Sequence, residues 1–146
     1  MATVVPAADP GPCPFCQPDL GRLVFETPLV RAVWDKYPAV PGHLLLVPRR
    51  HVAMWSDLTA AERHALADAI ADAQELLEAR DSPDGFTIGI NHGVAAGQTV
   101  PHLHIHVIPR HSGDVPDPTG GVRHVIPARG NYRALAATDP TGDGDG

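Results

Sequence analysis

His102-Leu-His-Ile-His-Val-Ile-Pro-Arg110 sets three histidines at alternate positions in a run whose intervening members are apolar. In an extended chain successive side chains point to opposite faces. The run therefore predicts a strand with His102, His104 and His106 on one face and Leu103, Ile105 and Val107 turned into a core. Aligned imidazoles gain nothing from one another and titrate near neutral pH, so a metal, a phosphate or a shared proton is what gives such a row a purpose. The alternative is a solvated strand face that is merely rich in histidine.

The segment before the row, Asn91-His-Gly-Val-Ala-Ala-Gly-Gln-Thr-Val-Pro101, ends in polar donors and runs straight into the first histidine. Gly93 and Gly97 let backbone amides approach a ligand closely, and Gln98 and Thr99 offer side-chain donors beside the imidazoles. A plain hairpin loop needs the glycines but not the donors. Joined to the histidine row, the segment reads as a phosphate cradle.

Outward from this centre the pattern predicts an α+β fold, an antiparallel sheet of about five strands with one long helix. Leu23 to Glu26, Val30 to Trp34 and His43 to Val47 read as short strands separated by Pro or Gly turns. Thr59-Ala-Ala-Glu62 reads as a capping box, after which Leu66, Ile70, Ala73 and Leu77 recur at helical spacing, giving one amphipathic helix over Ala60 to Arg80. Asp81-Ser-Pro-Asp-Gly85 stops it, and Phe86, Ile88 and Ile90 alternate into a fourth strand. The histidine strand is the fifth. Strands close in sequence and joined by short turns favour antiparallel pairing with the helix on one face. Residues 1–12 are expected to be a flexible arm, 13–127 the folded domain and 128–146 a flexible tail.

Gly97-Gln-Thr-Val-Pro-His-Leu-His-Ile-His-Val-Ile-Pro-Arg110 resembles the signature of the histidine triad (HIT) family of nucleotide hydrolases and transferases. Its pattern, His-x-His-x-His followed by two apolar residues, is filled by His102, His104, His106, Val107 and Ile108. A glutamine stands at the third position in the uridylyltransferase branch, so His106 resembles the hydrolase type. Asp35, Pro41-Gly-His43, Val47-Pro-Arg-Arg-His51 and Asn91 extend the similarity over Cys13 to Pro109. The resemblance implies the α+β fold, a twofold homodimer formed through the helix and a sheet edge, and a nucleotide as small-molecule substrate. It further implies His104 as nucleophile with its other nitrogen held by a backbone carbonyl, His106 facing the phosphate oxygens and His43 setting charge and orientation near them. Gln98 and Thr99 are then donors to the phosphate or leaving group, Asn91 a further polar contact and Asp35 a ligand of the ribose hydroxyls. For Asp35 a turn aspartate before Pro38 is the competing reading.

Cys13-Pro-Phe-Cys16 supplies half of a tetrahedral zinc site, and with no second cysteine pair the remaining ligands must be histidines. The resemblance assigns His51 and His102 to that role, with zinc structural and no cofactor needed for the chemical step. Free thiols or a disulfide are the alternatives. Phe15 is read as a core aromatic, with a wall of the base pocket as the other possibility.

Composition bounds the classes. At 146 residues the chain is one domain able to bury a single core. With 43% hydrophobic residues but no apolar run near membrane-spanning length, and no basic and apolar leader, a cytoplasmic protein without a membrane span is expected. A net charge of −6 offers no basic field to a nucleic-acid polymer.

Overall fold

The computed structural model describes residues 12–138. Five strands, β1 (Leu23–Glu26), β2 (Val30–Trp34), β3 (Leu44–Pro48), β4 (Gly85–Ile90) and β5 (Ile105–Arg110), form one sheet in the order β1-β2-β3-β5-β4. All neighbouring pairs are antiparallel. Helix α1 (Ala60–Asp81) packs on one face, in agreement with the α+β expectation. No helix among the described residues is long and apolar enough to cross a membrane.

Thr59 caps α1 as the sequence predicts: its hydroxyl accepts from the Glu62 amide while the Glu62 carboxylate accepts from the Thr59 amide. The core stripe of the helix is Leu66, Ala69, Ala73 and Leu77, with Ile70 half-buried at its side. The two alanines let the helix lie close to Leu44, Leu46, Ile105 and Val107 of the sheet, and each fully buried leucine contributes about 1.5–3 kcal/mol. The helix ends at Ser82, which takes the left-handed conformation; Pro83 disfavours the helical region for the residue before it, so the helix does not continue. Gly85, expected in that turn, instead opens β4.

The histidine strand differs from expectation in extent. The register that pairs Leu46 with Ile105 brings Leu103 opposite Pro48, which has no N–H to continue the ladder. Leu103 donates to the Val52 carbonyl instead, so the paired strand begins at Ile105 and His102 and His104 lie just before it. The alternation nonetheless holds: Leu103, Ile105 and Val107 are buried in the core.

Beyond β5 the chain runs through short turns and two short 3-10 helices. Helix α2 (Tyr132–Thr138) lies in the segment expected as a tail from 128; Asn131 caps it through Ala134, and Arg123 stacks over Tyr132. The remaining parts of the two expected termini, 1–11 and 139–146, lie outside the described residues.

Candidate active site and metal-ligand cluster

Two clusters lie along the histidine row, on the face away from α1. The first gathers Cys13, Cys16, His51 and His102, whose ligand atoms all lie within 4.8 Å of one another. His102 Nδ1 stands 3.4 and 3.5 Å from the sulfurs of Cys13 and Cys16 and 3.2 Å from His51 Nδ1, and Cys16 Sγ is 3.2 Å from His51 Nδ1. A tetrahedron with zinc–sulfur bonds of ~2.3 Å and zinc–nitrogen bonds of ~2.0 Å has edges of roughly 3.3–3.8 Å, close to these spacings. The fully buried ring of His102 donates through Nε2 to the Pro48 carbonyl at 2.7 Å, which leaves the Nδ1 lone pair facing the thiols. The donor set thus fits a zinc ion. Burial and the neighbouring Cys13 raise the Cys16 thiol, and a cation at this point would oppose both effects. Arg31 braces the cysteine turn by donating to the carbonyls of Phe15 and Cys16.

The second cluster contains Asp35, His43 and His106, with His104 beside it, its ring centroid 5.1 Å from that of His106. The hydrogen-bond network assigns each tautomer. His104 donates through Nδ1 to the His102 carbonyl at 2.9 Å, so its Nε2 carries a lone pair. The Ala39 amide donates to His43 Nδ1 at 3.0 Å, so the proton of neutral His43 is on Nε2, from which it is donated to His106 Nδ1 at 2.8 Å. The proton of His106 must then sit on Nε2, a buried atom without a partner among the described residues. Burial, followed by the nearby His104 and His43, pushes His106 down to about 4, and burial lowers His43 as well; the Asp35 carboxylate opposes both shifts. Contacts of 3.4 and 4.0 Å from Asp35 to these rings are therefore not ion pairs at neutral pH. Although the three residues have metal-ligand character, a cation on His43 Nε2 would force a proton onto Nδ1 against the Ala39 N–H. The tautomers disfavour a metal there.

His43 is held by its turn. Gly42 has φ +90°, and a Cβ on it would lie 2.7 Å from Asp81 Oδ2 and 3.2 Å from Pro109 Cγ, so only glycine lets the turn seat against the end of α1. Asp35 has one oxygen accepting from the Tyr37 amide at 2.7 Å, the turn geometry weighed for it, and the other beside His43.

The loop residues divide. Gln98 accepts from the Gly93 amide and donates one N–H to the Ala53 carbonyl, which ties its amide to the loop and leaves its second N–H without a partner among the described residues. Gly93 and Gly97 both take positive φ. Asn91 and Thr99 make no side-chain hydrogen bond among the described residues, and the β4–β5 register continued one step brings Asn91 opposite His104. The sequence pattern did not single out the Ala39 amide, the Pro48 carbonyl or Arg31. Phe15 lies against the row and not in the helix-side core, its ring centroid 5.0 Å from His104 and 5.8 Å from His102.

Comparison with known proteins bears on this arrangement. The profile of the family described as "HIT domain" matches residues 20–113. The asymmetrical bis(5'-nucleosyl)-tetraphosphatase of Schizosaccharomyces pombe is 40% identical over 93 residues, 64% of this chain and 51% of that protein. The AP-4-A phosphorylase of Mycobacterium tuberculosis is 38% identical over 122 residues, 82% of this chain and 63% of that protein. The chain thus spans between about half and two thirds of the length of these curated relatives. A zinc-bound histidine triad family protein of known structure from Mycobacterium smegmatis aligns with a TM-score of 0.63 at 28% identity, over 86% of this chain and 91% of that one.

Proposed function

The chain belongs to the HIT domain family, and from that premise we propose that it is a nucleotidyl hydrolase. Its substrates are nucleoside 5'-monophosphates joined to a further group, as in a dinucleoside polyphosphate or a nucleoside phosphoramidate. The observation that carries the reading is the buried, unpartnered Nε2–H of His106 beside the free Nε2 lone pair of His104. A buried donor without an acceptor costs about 1–3 kcal/mol, and a phosphate oxygen would remove that cost.

In the first step His104 Nε2 attacks the α-phosphorus. The bond to the leaving group breaks with its electron pair, and a nucleotidyl-histidine forms. His106 donates to a non-bridging oxygen as negative charge concentrates there, oriented by His43. Asn91, Gln98 and Thr99 are the further polar contacts, and Asp35 is assigned to the ribose hydroxyls. In the second step water attacks phosphorus and loses a proton, and the P–N bond returns its pair to His104.

Zinc held by Cys13, Cys16, His51 and His102 would pin the N-terminal segment to the sheet; the zinc-bound relative supports this assignment. A homodimer is proposed through the helix and a sheet edge, β4 being an edge strand on which Ile90 is exposed; a light-scattering mass near 15.4 kDa would sink it. The cytoplasm is the proposed compartment.

Labelled nucleotide substrate quenched without acid should leave a nucleotidyl group on His104, and His104→Ala should lose turnover by several orders of magnitude while still binding. Near-normal hydrolysis by that variant would overturn the mechanism. The 82% coverage by a named phosphorylase favours a second reading, in which phosphate and not water opens the intermediate. Added phosphate would then turn the mononucleotide product into a nucleoside diphosphate.

A further inference from the structure

We infer that Arg31 is a positioning residue for the zinc ligands: reaching from β2, it straps the Cys13–Cys16 turn to the sheet before the metal arrives, so that the thiols meet zinc as a half-formed site. The inference rests on the proposed zinc assignment and concerns how the ion is retained.

Arg31 is out of place as an ordinary strand residue. β2 is an interior strand, paired with β1 on one side and β3 on the other, and its Val30 and Ala32 turn into the core beneath α1. Alternation then sends Arg31 to the face that carries the histidine row. Its side chain is only 16% exposed. A cation so placed must find acceptors, or its burial is costly. Among the described residues both of its hydrogen bonds go to one place: Nη1 donates to the Phe15 carbonyl at 3.4 Å and to the Cys16 carbonyl at 3.2 Å. Its Nε is buried and has no hydrogen-bond partner among the described residues.

The plain alternative is a cross-strand ion pair. Glu26 is the partner of Arg31 in the β1–β2 ladder, but one of its oxygens stands 3.5 Å from Arg31 Nε and the other 3.4 Å from Arg49 Nη1. The Glu26 side chain is 35% exposed, so solvent screens a contact of that length to little. The pair does not explain why the end of the guanidinium is directed to the cysteine turn.

The work of the strap follows from what it touches. It binds carbonyls and not sulfurs, so it forms without a metal and leaves the sulfur lone pairs free. Within the turn the Gln17 amide donates to the Cys13 carbonyl at 3.2 Å, which holds the two cysteines in one coil of chain. Arg31 fastens that coil to the sheet and so fixes where the sulfurs stand relative to His51 and His102. Ligands held in this way have less chain freedom to lose when the ion binds. Groups that orient ligands from outside the coordination sphere typically carry about 10–100-fold in metal affinity.

Charge acts in the opposite direction. A guanidinium beside the ligand turn repels a divalent cation. Removing Arg31 should therefore tighten zinc binding if charge dominates and loosen it if position dominates, so the sign of the change separates the two.

The test follows transfer of zinc from the full chain to excess chelator in wild type, Arg31→Met and Glu26→Gln. Methionine keeps an unbranched stem beside Val47, the cross-strand partner on β3, and removes the donating head. Arg31→Met should release zinc about 10–100-fold faster, whereas Glu26→Gln, which removes the ion pair and spares the carbonyl bonds, should stay within about twofold of wild type. Unchanged or slower release from Arg31→Met would overturn the inference. Equal acceleration in Glu26→Gln would overturn it too, by assigning the effect to the β1–β2 hairpin at large. A second readout needs no metal and no folded variant: with zinc stripped from wild type, the Gln17 amide should exchange its hydrogen at least about tenfold more slowly than an unprotected amide. Exchange at the unprotected rate would show that Arg31 does not hold the turn. If wild type takes up no zinc, the metal assignment fails, and the Gln17 exchange rate still decides the strap.

Discussion

Replacing Glu62 by glutamine tests how the start of α1 holds the segment that carries His51. Glu62 accepts from Arg50 at 2.7 and 3.3 Å and from the Thr59 amide at 2.9 Å, and Arg50 also donates to the Asp57 carbonyl. The Arg50 hydrogen bonds and those to Thr59 take the carboxyl from its ordinary 4.5 to about 2, against the opposing effect of burial. At ~1.4 kcal/mol per unit the shift corresponds to an upper bound of about 3 kcal/mol. The Glu62 side chain is 5% exposed but that of Arg50 is 52% exposed, so solvent screening leaves about 1–2 kcal/mol as stability. The glutamine oxygen still accepts from Thr59, so the cap survives and the charge is what is lost. For a domain of this size Tm at pH 7 should fall by about 2–8 °C. A carboxyl whose folded pKa is depressed stabilises fully above its unfolded value and loses that stabilisation as pH falls towards its folded value. The difference between wild type and Glu62→Gln in urea denaturation should therefore be constant from pH 7 to about 5.5 and shrink between 4.5 and about 2. A gap unchanged at pH 3, or no gap at pH 7, would refute the reasoning.

Purified protein should contain about one zinc per chain, and Cys13→Ser should lower both metal content and Tm; full content in the Cys13→Ser, Cys16→Ser double variant would place the ligands elsewhere. Gly42→Ala puts a methyl 2.7 Å from Asp81 Oδ2 at a positive φ, which should cost about 1–3 kcal/mol and lower kcat by shifting His43. Unchanged kcat and Tm would show that the turn does not position that ring. Gly89 is the cross-strand partner of His106, and a Cβ there meets nothing within 4 Å. Gly89→Val should leave stability equal or higher by up to about 1 kcal/mol while blocking turnover; unimpaired kcat/KM would mean that substrate does not use this face.

Much of the fold was legible because it rests on local patterns. The Thr59–Glu62 box, the stripe from Leu66 to Leu77 and the alternation of Leu103, Ile105 and Val107 each act over a few residues, and each recurs in the structure. The places where reading and structure part are those governed by contacts distant in sequence. Pro48 ends the ladder opposite Leu103, so two of the three histidines precede the paired strand. Ser82, and not Gly85, makes the left-handed turn at the end of α1. Gln98 spends its amide on Gly93 and on Ala53, the latter 45 residues away, which no spacing rule announces.

The same division runs through the site. Alternation places three imidazoles on one face, but reactivity depends on which nitrogen of each ring keeps its lone pair. That choice belongs to backbone groups carrying no sequence signal of their own. The Pro48 carbonyl turns His102 Nδ1 to the thiols, the His102 carbonyl frees His104 Nε2, and the Ala39 amide, acting through His43, leaves a proton on His106 Nε2. Three rings of identical chemistry thereby present a lone pair turned to the thiols, an open lone pair and a hydrogen-bond donor in succession. An Ala39 substitution that keeps the N–H should be silent at this site, whereas removing the N–H should alter a ring that Ala39 never touches.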